Sequence, residues 1–305
     1  MQSLPLEAKI IKSQLRIREW YEHWDGLVYV SFSGGKDSTV LLRLVRELYP
    51  NVPAVFVDTG LEYPEIREFV KTIEGVTWLK PDIPFPQVIE KYGYPVIGKE
   101  VANTVQNARF NIKRGTDSIR LRQIRGLEKT KNGKKSTFNK EKYEFLLDAP
   151  FKISDQCCGV MKKRPIHLYE KRTGKKPIVG TMASESSLRK IRWLKYGCNS
   201  FDQKTPQSVP ISFWLESDIW QYLERYNIPY SKIYDMGVKR TGCMFCMFGV
   251  HLEEQPNRFQ RMYYTHPKQY DYCINKLGLG EVLDYINVDH KPKGEQLSFS
   301  FKGGD

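Results

Sequence analysis

The chain contains no run of eighteen apolar residues, so no part of it is expected to cross a membrane as a helix. Met1 to Lys12 has no apolar stretch behind a basic start, so no secretory signal is expected and the protein reads as cytoplasmic. Neither G-x-x-x-x-G-K-[ST] nor G-x-G-x-x-G occurs at its glycine turn, which excludes a Walker-type loop and a dinucleotide fingerprint. Acidic residues are in deficit, 35 against 48 basic ones, leaving a net charge of +13. Such a surplus points to a polyanionic partner. Only six cysteines are present and none follows Cys273. In a reducing cytosol they read as metal ligands or free thiols rather than disulfides. No internal repeat is visible.

What is present begins with Ser31-Phe32-Ser33-Gly34-Gly35-Lys36-Asp37-Ser38. It follows the apolar run Leu27 to Val30 and leads into Thr39 to Val45, which reads as a buried strand, a glycine turn and a helix. Glycines let the backbone approach a ligand, and the first amides of the helix point outward at the positive end of its dipole. Phosphate is the anion such a turn suits. Lys36 adds charge, and Ser31, Ser33 and Ser38 add hydroxyls. Asp37 fits an anion pocket if Mg²⁺ bridges it to a polyphosphate. The bland alternative is a tight strand-to-helix turn with no ligand.

The rest of the first half repeats the rhythm. Strands are expected at 27–32, 54–57, 76–79 and 177–180. Helices are expected at 37–49, 64–73, 85–92 and 216–226, the last with Ser217 as N-cap. An amphipathic helix within 1–26 should bury Leu6, Ile10, Ile11, Leu15, Ile17, Trp20, Tyr21 and Trp24. Alternation at this spacing implies an α/β fold, a doubly wound parallel sheet whose ligand sits at the carboxyl ends of the strands. Residues 1–240 are expected to form this domain, interrupted by a basic insertion at 103–147. Residues 241–305 are expected to form a smaller helical subdomain and a partly flexible tail.

Between Arg109 and Lys142 lie twelve basic residues and three acidic ones. Nucleic acid, DNA or tRNA, is the expected partner of this stretch; a solvated, solubilising insertion is the alternative. Lys131 to Lys134 should form a turn, the tip of a hairpin.

Cys157-Cys158 and Cys243-x-x-Cys246 form a second constellation. Four thiolates select zinc or an iron–sulfur cluster, and adjacent cysteines suit the corners of a [4Fe–4S] cube better than one tetrahedral ion. Free or redox thiols remain the alternative. Lys239 and Arg240 are expected to lower the thiolate pKa. Cys198 and Cys273 read as ordinary cysteines, and His167, His251 and His266 as structural.

Two resemblances follow from these residues. Ser33 to Ser38 resembles the PP-loop of the ATP pyrophosphatases, which transfer AMP and release pyrophosphate. Cys157 to Pro165 and Cys243 to Cys246 resemble the cysteine segments that hold a [4Fe–4S] cluster in adenylyl-sulfate reductases. Asp58 to Pro64, Gly180 to Arg189, Trp214 to Trp220 and Ile228 to Gly237 resemble the phosphoadenylyl-sulfate reductase family. These resemblances imply ATP, Mg²⁺ and a [4Fe–4S] cluster as cofactors, with Lys36, Asp37, Arg189 and Lys162 as catalytic groups. Ser31, Ser33, Gly34, Gly35, Ser38, Asp58 and Glu62 would complete the nucleotide site.

The pattern departs from the reductases twice. Their catalytic cysteine in a C-terminal tail has no counterpart after Cys273, and their phosphate loop is degenerate where this one is intact. Both departures resemble cluster-bearing ATP pyrophosphatases of sulfur insertion, such as those of DNA phosphorothioation and tRNA thiolation. A cysteine desulfurase is then an implied partner. Sulfonucleotide reduction with a relocated nucleophile, Cys198 or Cys273, is the second reading. A non-catalytic, nucleotide- and cluster-bearing sensor is the third.

Overall fold

A computed structural model describes residues 1–291, so the tail expectation for 292–305 lies outside the described residues. The central sheet is built from β1 (Val28–Ser31), β2 (Ala54–Val57), β3 (Val76–Leu79), β5 (Lys176–Val179), β6 (Asn199–Ser200) and β7 (Gln207–Ser208). β4 (Val96–Ile97) and β8 (Met247–Phe248) form a separate two-stranded parallel pair. The strand order in the main sheet is β3-β2-β1-β5-β7-β6, parallel throughout except for the β6–β7 edge. The strands β1, β2 and β5 carry Val, Ile, Phe and Tyr with almost no exposure, as a sheet covered on both faces requires.

The helices in chain order are α1 (Leu6–His23), α2 (Lys36–Leu48), α3 (Pro64–Lys71), α4 (Phe85–Tyr92), α5 (Lys99–Lys113), α6 (Ile119–Ile124), α7 (Arg164–Thr173), α8 (Ser187–Tyr196), α9 (Glu216–Arg225), α10 (Arg258–Thr265), α11 (Pro267–Asp271) and α12 (Leu279–Tyr285). One face of the sheet packs on α1, α2, α3 and α9 in a core centred on Trp20, Val40, Leu41, Phe56 and Trp214. On the other face α7 lays Tyr169 over Tyr29 and Val55. The chain therefore has the expected doubly wound architecture.

A second core draws on Leu61, α4, α5 and α6 and on residues 244–288. The basic stretch and the C-terminal helices thus share one interior, and α5 buries Val101, Ala102, Val105 and Ala108 in it. Arg109 is consumed in that packing: its guanidinium donates to the carbonyls of Leu146, Leu147, Ala149 and Phe151 at 2.6–3.0 Å. The turn at 131–134 is a hairpin tip, closed by a Lys129–Lys135 bridge and by Gly133 at φ +74°.

Two local expectations are corrected. Ile11 and Leu15 are 60% and 49% exposed, because the buried face of α1 runs through Leu6, Lys9, Ile10, Ser13, Ile17 and Trp20, with Tyr21 and Trp24 half-buried beside it. Ser217 is not the N-cap of α9. Leu215 holds that position, and the Asp218 carboxylate accepts its amide at 2.6 Å while also pairing with the buried Lys9 ammonium at 2.6 Å.

Candidate active site

β1 ends at Ser31 and α2 begins at Lys36, so the serine–glycine turn spans the carboxyl edge of the sheet where β1 meets β2 on one side and β5 on the other. Strand order reverses direction at this point, which opens a crevice. Gly34 adopts φ +72°, and a Cβ on it would lie 2.7 Å from Val70 Cγ2 and 2.8 Å from Ile66 Cγ2. The turn therefore lies flush on α3 and needs a residue without a side chain. From the end of the neighbouring β5, Gly180 also comes close, since a Cβ there would meet the Asp37 carbonyl oxygen at 3.1 Å.

The resulting cleft, about 520 Å³, brings together Ser31, Ser33, Gly35, Lys36, Asp37, Ser38 and Arg189. Hydroxyls hold the turn's amides. The Ser33 amide donates to Ser38 Oγ at 3.2 Å, the Gly35 amide to Ser33 Oγ at 3.3 Å, and the Lys36 amide to the Tyr234 hydroxyl at 2.8 Å. Thr241 Oγ1 lies 3.3 Å from the same phenol oxygen.

Lys36 is 4% exposed, and its ammonium lies 3.1 Å from Glu216 and 3.6 Å from Asp37. Burial works against its charge, but Asp37, Glu216 and Tyr234 reverse the balance and its pKa is raised. For Asp37 burial raises the pKa, Lys36 opposes it, and the neighbouring carboxylates Glu185 and Glu216 raise it further. Asp37 Oδ1 is buried with no hydrogen-bond partner among the described residues. A buried carboxylate oxygen without a hydrogen bond suits a hard divalent cation such as Mg²⁺ brought in with a polyphosphate; Glu185 and Glu216 add negative charge nearby but do not form a metal-holding group with Asp37 among the described residues.

Arg189 pairs with Glu185, and Arg240 reaches the same carboxylate at 3.7 Å. Tyr234, Thr241, Glu185 and Glu216 are not singled out by the sequence, and Arg240 is expected there only beside the thiols. All five line the cleft, within or beside segments notable for their motifs, so proximity to those motifs is the available signal.

Three expected members, Asp58, Glu62 and Lys162, stand elsewhere. Asp58 is tied to Arg67 at 2.9 Å and to the Gly60 amide, and it does not line the cleft. Glu62 accepts from the Thr59 amide and hydroxyl at 2.9 Å and faces an adjoining cavity of about 150 Å³ together with Ser31, Val57 and Lys162. Lys162 joins this cavity to the cysteines, with its ammonium 3.4 Å from Glu62 and facing the Cys243 sulfur.

Both cysteine pairs hang from one short segment. Tyr94 bridges to Ile153, just before Cys157-Cys158, and β4 pairs with β8, just after Cys246. A tight turn, in which the Cys246 amide donates to the Cys243 carbonyl, sets the second pair. All four thiols are free, and the Cys158, Cys243 and Cys246 charges each act on Cys157. Among the described residues no three His, Cys, Asp or Glu side chains form a group that could hold a single metal ion. Four uncrosslinked, mutually felt sulfurs facing a lysine are nevertheless the donor chemistry of an iron–sulfur cluster.

The thiol pKa expectation is corrected. Burial pushes Cys243 up to about 11, and the cation that pulls it back is Lys162, not Lys239 or Arg240. Arg258 plays the same part for Cys246. Cys198 is buried in the sheet core and Cys273 in the second core, and His167, His251 and His266 each meet a polar side-chain neighbour, Glu170, Tyr143 and Glu65. No helix of the described residues is long and apolar enough to cross a membrane.

Within 109–142 the stretch partly neutralises itself. Arg122 pairs with Asp117 and Glu128, Lys135 with Glu141, and Lys140 with Glu100.

Residues 27–111 and 111–248 match the model of the phosphoadenosine phosphosulfate reductase domain. An uncharacterized protein of Methanocaldococcus jannaschii is 26% identical over 234 residues, which cover 75% of this chain but only 38% of that protein. An adenosine 5'-phosphosulfate reductase of Lysinibacillus sphaericus is 22% identical over 244 residues, covering 78% of this chain and 81% of the relative. Among solved structures, the phosphate complex of phosphoadenylyl-sulfate reductase from Candida auris aligns with a TM-score of 0.45 at 15% identity, covering 76% of this chain and 88% of that one.

Proposed function

The chain belongs to the phosphoadenosine phosphosulfate reductase domain family, and we propose that it is an ATP-dependent adenylating enzyme serving sulfur insertion into nucleic acid. One observation carries the reading. The glycine turn after β1 is intact and closely packed, and it holds a buried Lys36 whose ammonium lies 3.6 Å from an Asp37 oxygen that is buried without a hydrogen bond. A β,γ-pyrophosphate with Mg²⁺ would exchange the hydroxyls on the turn amides for a stronger, anionic acceptor and give the carboxylate a cation.

In this reading the turn amides and Lys36 hold the β- and γ-phosphates, displacing the Tyr234 hydroxyl from the Lys36 amide. Asp37, with Glu185 and Glu216 nearby, would hold Mg²⁺, which when bound neutralises the polyphosphate. An acceptor oxygen forms a bond to the α-phosphorus, the α–β bridging bond breaks, and its electron pair leaves with pyrophosphate. Lys36 and Arg189 face the charge that develops. The adenylated oxygen is then a good leaving group, and sulfur from a sulfide-level donor takes its place as AMP departs. Lys162 spans the cavity and the cysteines, so it can orient the group that meets both.

Cys157, Cys158, Cys243 and Cys246 would hold a [4Fe–4S] cluster, which when bound supplies a negatively charged redox centre. Anaerobic purification followed by iron analysis tests this: about four iron per chain with visible absorption is expected, lost in Cys243→Ser. An iron-free, zinc-bearing protein would contradict it.

A second reading is favoured by the relatives' printed activity together with the four cysteines: reduction of a sulfonucleotide. One assay separates the two. Incubation with ATP, Mg²⁺ and nucleic acid should release AMP and pyrophosphate, whereas the second reading expects sulfite from adenylyl sulfate and a thiol.

A further inference from the structure

A groove of about 690 Å³ opens beside the phosphate cleft and shares Ser31 and Val179 with it. It runs between α7 and the β5–β7 side of the sheet. Its floor is apolar, formed by Ile166, Pro177 and Val179, and its rim carries Lys163, Lys171, Lys176, Arg192 and Lys204. The single acid on it, Glu170, is already engaged by the Tyr29 hydroxyl at 2.9 Å and by His167 at 3.2 Å. Lys163, Lys171 and Lys204 are exposed and have no hydrogen-bond or ion-pair partner among the described residues. In the 109–142 stretch Arg109, Arg122, Lys135 and Lys140 are spent on internal partners, whereas Lys129, Lys131 and Lys134 at the hairpin are exposed; what sets the stretch apart is position, since none of the cavities adjoining the turn is lined by one of its residues.

We infer that this α7 groove is the path by which a single-stranded phosphodiester chain reaches the adenylation site. The inference rests on the reading of nucleic acid as acceptor and adds the surface that binds it. Lys163 heads α7 and Lys171 lies eight residues further on, so about 12 Å of helical rise separates them. One small anion cannot touch both, whereas successive phosphates of a strand can. The apolar floor offers a surface to sugars or base faces while the rim tracks the backbone, the division of labour found in single-strand grooves. Because the groove opens at Ser31, the strand it guides ends where the α-phosphorus is placed.

The test compares two charge-reversal variants of equal charge. One carries Lys163→Glu, Lys171→Glu and Lys204→Glu in the groove; the other carries Lys129→Glu, Lys131→Glu and Lys134→Glu at the hairpin. Fluorescence anisotropy measures binding of labelled single-stranded DNA, single-stranded RNA and the DNA duplex across a salt series. The groove variant should lose about tenfold or more in affinity for single strands, and about two units of its log–log salt slope. The hairpin variant should stay within about threefold of the unmodified protein. Whether DNA or RNA binds more tightly names the source of the strand. An unchanged groove variant, a larger loss in the hairpin variant, a preference for duplex, or no binding by the unmodified protein would each overturn the inference.

ATP-induced thermal stabilisation should be retained in both variants, which shows that they fold. Pyrophosphate release is scored separately. A protein that cleaves ATP but binds no strand sinks this inference alone, and one that binds strands through the groove but leaves ATP intact sinks the adenylation reading alone.

Discussion

Replacing Gly34 by alanine separates the geometry of the phosphate turn from its composition. Gly34 sits at φ +72°, and its added Cβ would press on Val70 and Ile66 at 2.7 and 2.8 Å. Both neighbours are buried, at 0% and 1% exposure, and cannot swing into solvent. The left-handed backbone alone costs a side-chain-bearing residue about 1 kcal/mol, and overpacking adds about 1–3 kcal/mol. The expected loss is therefore about 2–4 kcal/mol. Gly60 is the matched control, with φ +75° and nothing within 4 Å of its Cβ, so Gly60→Ala should cost about 1 kcal/mol. In a chain of this size 1 kcal/mol corresponds to about 2 °C in Tm. Scanning calorimetry should then show a fall of about 2 °C for Gly60→Ala and about 4–8 °C for Gly34→Ala. Relieving the clash moves the turn amides, and a displacement of about 1 Å lowers turnover by about 100-fold. Equal Tm losses in the two variants would refute the packing argument. Full ATP turnover in Gly34→Ala would refute the turn as the seat of the phosphates.

Three further outcomes are expected. Asp37→Asn should abolish pyrophosphate release while leaving Tm nearly unchanged, because the buried Oδ1 has no hydrogen bond to lose and only a long 3.6 Å contact with Lys36, which keeps Glu216 at 3.1 Å; a fall in both would assign Asp37 a structural role. Arg109→Ala should destabilise the protein by about 2–4 kcal/mol in urea titration, since four carbonyls lose a charged donor, and strand binding by the folded fraction should not change. His290 is buried, and burial lowers its pKa below 6.5 against the opposing pull of Asp284. The unfolded chain then takes up a proton that the folded chain refuses, so this contribution is absent above about pH 7 and becomes destabilising as pH falls below 6.5. His290→Gln should flatten that part of the pH–stability curve, and an unchanged slope would place the dependence elsewhere.

The local parts of the fold were legible because they are carried by short-range signals. The strand before Ser31, the turn and the helix from Lys36 follow from one apolar run, two glycines and one amphipathic segment. Both cysteine pairs could be found by spacing. Long-range contacts were not legible. Ser217 looks like an N-cap locally, but Lys9, 209 positions away, holds the Asp218 carboxylate that accepts the amide of the actual N-cap, Leu215. Arg109 looked like part of a nucleic-acid arm because nothing local shows four carbonyls converging on it. Tyr234 reaches the Lys36 amide across 198 residues, and the Tyr94–Ile97 segment that aligns the two cysteine pairs is too short to leave a periodic signal.

The central claim is that the turn after β1 seats the pyrophosphate of ATP, so that the α-phosphorus is the reacting atom. A crystal structure with Mg²⁺ and α,β-methylene ATP tests it most directly. The account predicts the β- and γ-phosphates on the amides of Gly34, Gly35 and Lys36, the metal against Asp37, and the Tyr234 hydroxyl displaced from the Lys36 amide. A triphosphate bound elsewhere, or the Tyr234–Lys36 hydrogen bond intact at saturating nucleotide, would contradict it.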